Sequence, residues 1–148
     1  MLTHRLIYIS NKAPNLVAED ISSILESARI SNQNNGVTGM LIVTRKMFIQ
    51  ALEGEEEAVR AVFSKIKKDP RHSDIRVIVD AKAPARAFPI WSMGFSEQSE
   101  EILRGQAASL GIMSKDETYN ALNTEPSIAT SLLAKLSAAD GSFLFNPT

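Results

Sequence analysis

The sequence predicts an α+β domain: a mixed β-sheet with two helices on one face and further helices covering the other. Three observations carry this expectation. Apolar runs of strand length, with side chains alternating between two faces, recur at residues 5–10, 37–44, 47–53, 75–80 and 89–95. Two segments with apolar residues at helical spacing separate the first strand from the second and the third from the fourth. After residue 96 the texture changes, and helical patterns replace strand patterns. The resulting order, βαββαββ, is the ferredoxin-like arrangement extended by one strand.

In the first strand, Leu6, Tyr8 and Ser10 share one face and Ile7 and Ile9 the other, so both faces of the sheet are expected to be covered. Residues 11–15 are rich in turn formers and read as a loop. The first helix follows to about Ser31, with Val17, Ile21, Ile24, Leu25 and Ala28 as its buried stripe. Residues 32–36 end it, and Gly36 suits a left-handed cap. Strands two and three form a hairpin joined at Arg45-Lys46. The second helix spans residues 55–68, acidic in its first turn and lysine-rich in its last, as the helix dipole favours. Val59, Val62, Phe63 and Ile66 form its buried stripe, and Asp69-Pro70-Arg71-His72 closes it. Helices are expected at 99–110 and 127–139, with a shorter one at 115–122. The chain therefore divides into a domain at residues 1–97 and a helical extension at 98–148 packed on the sheet.

Gln50 is the anomaly in this pattern. It shares a strand face with Phe48 and Leu52, and leaving a buried carboxamide unpaired costs roughly 1–3 kcal/mol. Its partner is a backbone group, water at a sheet edge, or a polar ligand lying against the sheet. Tyr8 falls on the corresponding face of the first strand, so a phenol and a carboxamide meet if both point towards the helices. Trp91 and Met93 share a face of the fifth strand, a pattern that core packing alone also produces. Lys65, Lys67, Lys68, Arg71 and His72 gather at the end of the second helix, as a solvated terminus or as an anchor for a phosphate.

Composition narrows the classes. The chain has 148 residues, 44% hydrophobic and 22% charged, with a formal net charge of −1, which gives no general attraction to nucleic acid or anionic membranes. It has no cysteine and only two histidines, His4 and His72, far apart in sequence, so no metal site is expected. The N-terminus lacks the apolar core of a signal peptide and no run reaches membrane-spanning length, so a cytoplasmic protein is expected. No nucleotide-binding glycine loop or Ser/His/Asp pattern is present, and Gly36-Val37-Thr38-Gly39 is too short to cradle a phosphate.

Five stretches together resemble the BLUF family: Arg5-Leu6-Ile7-Tyr8-Ile9-Ser10, Asn32 with Gly36-Val37-Thr38-Gly39, Phe48-Ile49-Gln50-Ala51-Leu52-Glu53-Gly54, Asp69-Pro70-Arg71-His72, and Trp91-Ser92-Met93. BLUF domains are blue-light sensors that use flavin. The resemblance implies a flavin held without a covalent bond between the two helices, FAD first, with FMN and riboflavin as alternatives. Ile24 and Ile66 match the residues that sandwich the ring, and Asn32 the one that binds its polar edge. Lys65 and Arg71 match the region of the ribityl-phosphate tail, and Asp69 and His72, in the motif beside it, are expected to bind the cofactor too. Ser31 departs from the second asparagine that short, stand-alone members tend to carry. The resemblance further implies that Tyr8 is the electron donor, Gln50 the proton relay whose rearrangement shifts absorption to the red, and Trp91 and Met93 the outward signal relay. It implies an output to an effector protein and a homo-oligomer, not an enzyme. Two other readings stand beside it: a small flavin reductase or hydrolase on the same fold, and a flavin-free interaction module.

Overall fold

Strand formation extends beyond the apolar runs because pairing on both sides pulls polar flanks into the ladder. The computed structural model describes residues 2–44, 46–88 and 93–97, the last four by their backbone alone. Its elements are β1 (Thr3–Lys12), α1 (Ala18–Asn35), β2 (Thr38–Val43), β3 (Met47–Gly54), α2 (Glu56–Lys67), β4 (His72–Ala83) and β5 (Gly94–Glu97). They form one sheet in the order β4-β1-β3-β2-β5. β1 is antiparallel to β3 and β4, β2 is antiparallel to β3, and β5 joins β2 in parallel, so the sheet is mixed. The ferredoxin-like expectation holds. The expected helices after residue 98, and the division at 97/98, lie outside the described residues.

Parity then assigns the faces. Leu6, Tyr8, Leu41, Val43, Phe48 and Leu52 pack with Leu25 of α1 and Val59, Val62 and Phe63 of α2 into one cluster. Ile7, Ile9, Met40, Ile42, Ile49 and Ala51 point the other way and are no more than 1% exposed, so the second face is closed as well. Burial of each such side chain contributes about 1.5–3 kcal/mol, which makes these two layers the main source of stability.

Element ends depart from the sequence reading for local reasons. Val17 is 55% exposed and belongs to no buried stripe. It is the extended residue before α1, with its N–H donated to the Asp20 carboxylate at 2.9 Å. Helix α1 continues past Ser31 until Gly36, whose φ of +67° stops it, and the Val37 N–H returns to the Asn32 carbonyl at 2.9 Å. Asn32 is therefore helical, which fixes the direction of its side chain. His72 opens β4 rather than closing the preceding loop, three residues before the expected start at Ile75. Pairing of β1 with β4 is irregular there, and Asp74 takes a φ of +50°. The fifth strand begins at Gly94; residues 89–92, and with them Trp91, lie outside the described residues. Arg45 of the hairpin joint does too, although Val43 still pairs with Phe48 across the joint as expected.

The segment after β4 is fastened by a buried carboxylate. Glu53, fully buried near the end of β3, accepts the Ala87 and Phe88 N–H groups at 2.9 and 2.7 Å and the Arg5 Nε at 2.8 Å. Arg86 adds bonds to the Thr38 hydroxyl at 3.1 Å and the Gly36 carbonyl at 3.0 Å. The chain is thus tied to the ends of α1, β2 and β3 before it enters β5. Truncation of Glu53 leaves two amides and a partly buried guanidinium without their acceptor, so Glu53→Ala should cost about 3 kcal/mol and Glu53→Gln about half as much. Urea denaturation midpoints check both.

Candidate functional site

Helices α1 and α2 diverge over the sheet and leave a cavity of about 310 Å³, a volume within the usual range of small-molecule sites. Ile24, Ala28, Ser31 and Asn32 wall it from α1, and Val62, Lys65 and Ile66 from α2. Tyr8, Leu41, Phe48 and Gln50 form its floor, with Asp69, Arg71 and His72 at one end.

Tyr8 and Gln50 face each other as a register pair across β1 and β3. Both are buried, and the Tyr8 hydroxyl donates to Gln50 Oε1. The other end of the carboxamide donates from Nε2 to Met93 Sδ at 3.5 Å. A thioether has no proton to give, so this contact requires Nε2, not Oε1, on the Met93 side. The partners of Gln50 are therefore side chains, one on either side. Met93 is fully buried and stands over Gly39: a β-carbon on Gly39 would lie 2.1 Å from the Ala51 carbonyl oxygen and 3.1 Å from Met93 Cε. Only glycine leaves room for both.

The Tyr8 ring packs against Phe63 at 5.5 Å and meets the edge of His72 at 5.9 Å between centroids. Burial pushes the Tyr8 phenol well above its ordinary range, and the negative charge of Asp69 adds to the shift. His72 is oriented at both nitrogens. Nε2 lies 2.8 Å from the Ile66 carbonyl, which can only accept, so Nε2 carries a proton; Nδ1 lies 2.8 Å from the Ser10 hydroxyl. Asp69 and Arg71 form a two-point ion pair with contacts of 2.6 and 2.9 Å. The Arg71 hydrogen bonds hold the Asp69 carboxyl below its usual range, and the same bonds raise Arg71.

All eight residues expected to bind a cofactor line this one cavity: Ile24, Asn32, Gln50, Lys65, Ile66, Asp69, Arg71 and His72. The basic cluster, in contrast, does not act as a unit. Lys67 lies 5.1 Å over the Phe63 ring, and of the cluster only Lys65, Arg71 and His72 line the cavity. Ser27, Ala28, Ser31, Leu41, Phe48 and Val62 also line it. Their signal in the sequence is positional. Ser27, Ala28 and Ser31 extend the Ile24 stripe at helical spacing, and Leu41 is the cross-strand neighbour of Gln50.

The cavity suits a flat aromatic group with a polar rim and an anionic tail. Its walls at Ile24, Ala28, Val62 and Ile66 are apolar, and Lys65 brings a positive charge to the same cavity as the Asp69–Arg71 ion pair. Ser31 Oγ and Asn32 Oδ1 are enclosed atoms with no hydrogen-bond partner, although Asn32 as a residue has a further interaction. Such atoms favour a ligand with complementary polar groups. Among the described residues no cluster of His, Asp or Glu suits a metal ion, and no helix is long and apolar enough to cross a membrane.

The family described as BLUF, sensors of blue-light using FAD, matches residues 3–94. The chain belongs to the BLUF family. Over 99 residues it is 33% identical to the photoactivated adenylate cyclase subunit beta of Euglena longa, covering 66% of this chain and 11% of that protein. Over 88 residues it is 38% identical to the blue light- and temperature-regulated antirepressor BluF of Escherichia coli K12, covering 60% of this chain and 22% of that one. The BLUF chain thus matches only a minor part of the length of these relatives. The solved structure of BlsA in its photo-activated state superposes with a TM-score of 0.78 at 30% identity, covering 95% of this chain and 97% of that one. The dark-state structure of BlrB, a BLUF protein, gives 0.65 at 32% identity over 88% and 96%.

The raised Tyr8 phenol makes a pH prediction. A group whose proton is held more tightly in the folded state stabilises the fold below its unfolded pKa, about 10 for tyrosine, and that stability is lost as pH rises beyond it. Between pH 9 and 11 the denaturation midpoint should fall more steeply in the native sequence than in Tyr8→Phe, as chemical denaturation at each pH would show.

Proposed function

We propose that this BLUF chain is a blue-light receptor that holds FAD non-covalently in the cavity and switches through Tyr8 and Gln50. The observation that carries the reading is the Gln50 carboxamide on the cavity floor, with the Tyr8 hydroxyl at one end and the Met93 thioether at the other. In this reading Ile24 and Ile66 clasp the ring from the two helices. Asn32 and Gln50 meet its polar edge, and Lys65 and Arg71, oriented by Asp69 and flanked by His72, hold the phosphate tail. The family description names FAD, which favours it over FMN and riboflavin.

Bound flavin supplies a strong one-electron oxidant on absorbing blue light. The phenol held protonated by burial is the residue that can release an electron and a proton together. Its hydroxyl already points at Gln50 Oε1, so the proton has an acceptor without any movement. The burial of both side chains keeps the proton on this path. When electron and proton return to Tyr8, the carboxamide stays rearranged, by rotation or by tautomerisation. Its altered hydrogen bonds are the signal, with nothing consumed.

Met93 touches Gln50 directly and leads into β5, so the output runs along that strand to the segment 98–148 and on to an effector protein or a second copy of the chain. Trp91 is a second element of that relay. Relatives named as cyclases and as an antirepressor support an output onto another protein activity. The reading makes the chain a cytoplasmic sensor, not an enzyme.

The absorption spectrum in darkness and after blue light tests this. The expected outcome is a flavin band that moves to the red without bleaching and returns in darkness, with the shift abolished in Gln50→Leu and in Tyr8→Phe. Bleaching that requires a reductant would favour a redox enzyme, and failure to take up flavin would leave an interaction module.

A further inference from the structure

Arg29 is absent from the cavity wall but sits on α1 between two residues that line it, Ala28 and Ser31. Its Nε donates to the Met93 carbonyl at 3.1 Å. Met93 immediately precedes β5, whose pairing with β2 starts at Gly94 opposite Met40. Arg29 adds a hold on the Met93 carbonyl from the helix. The Met93 side chain is in turn confined: its methyl lies over the bare backbone of Gly39 and its sulfur lies 3.5 Å from Gln50 Nε2.

We infer that Arg29 is a positioning residue of the switch, holding the Met93 backbone so that the thioether selects one orientation of the Gln50 carboxamide. The inference rests on the Tyr8–Gln50 reading above and takes the orientation seen here as the resting one. The selection follows from donor chemistry. A sulfur held in place accepts from Nε2 but, with the carboxamide turned over, faces Oε1, another acceptor. That mismatch disfavours the rearranged state and drives its return. Once the Met93 carbonyl is released, the thioether can withdraw, the mismatch disappears, and the rearranged state lives longer.

The experiment uses the full chain loaded with FAD. In Arg29→Ala the red shift should persist while its decay in darkness slows about tenfold, the factor that about 1.4 kcal/mol, one hydrogen bond's net contribution, corresponds to. Arg29→Lys, which still presents a charged donor, should stay within about threefold of the native rate, and Arg29→Gln should slow decay by about threefold. In a Met93→Leu background, adding Arg29→Ala should change the rate less than about twofold, because the sulfur it positions is gone. A readout independent of flavin is the methyl-labelled Met93 resonance, which should move in Arg29→Ala and not in Arg29→Lys, with or without FAD. Unchanged or faster decay in Arg29→Ala, or an equal slowing in the Met93→Leu background, would overturn the assignment. A native chain that shows no reversible shift refutes the Tyr8–Gln50 reading itself; a normal native shift with an unaffected Arg29→Ala refutes the role of Arg29 alone.

Discussion

A carboxamide on an apolar sheet face must find partners, and Gln50 finds both of its own in side chains delivered by separate elements. Tyr8 arrives by antiparallel register from β1, and Met93 by the parallel approach of the chain to β5. That pairing constrains much of the surrounding structure. It requires β3 in the centre of the sheet, a glycine at position 39 so that Met93 can reach Gln50, and a segment before β5 held at a fixed height. The Glu53 carboxylate and the Arg86 bonds meet the last requirement several residues upstream of Met93.

Charge is arranged around this centre but kept out of it. Asp69 and Arg71 neutralise each other at the cavity end, and Glu53 is matched with Arg5 and two amides on the far side of the sheet. His72 has a defined partner at each nitrogen. The centre between them, Gln50 with its two partners, contains only neutral dipoles: a phenol, a carboxamide and a thioether. In such low-polarity surroundings hydrogen bonds are stronger and their rearrangement more consequential than in water.

The parts of this arrangement that follow from periodicity were legible in the sequence. Strand parity groups Tyr8 with Leu6 and Gln50 with Phe48, each pair on one face of its strand, and helical spacing puts Ile24 and Ile66 on the apolar stripes of the two helices. The family resemblance added the roles that parity alone leaves open. What was not legible depends on contacts between distant backbone atoms. Nothing in the run Leu52-Glu53-Gly54 announces that Glu53 will receive two amides from residues 87 and 88. His72 reads as part of a basic helix end until β4 pairing draws it inward against Ser10. Val17 scores as apolar at the right spacing, yet the helix starts one residue later and leaves it in solvent. Arg29 reads as an ordinary polar residue of a surface helix, because the distant Met93 carbonyl it reaches leaves no mark in the sequence.

The central place of β3 has a mechanical consequence. Its backbone is hydrogen-bonded to β1 on one flank and β2 on the other for most of its length. Sliding it by one residue would break both ladders and turn Gln50 to the opposite face. The lattice under Gln50 is therefore stiff, and the freedom left to that residue is torsional, confined to the bonds of one side chain. A site built this way has little elastic energy to store and transmits no push along the strand. In the proposed reading its two states differ in which neighbour is offered a proton and which a lone pair, so any receiver of the message would have to be in contact with those few atoms.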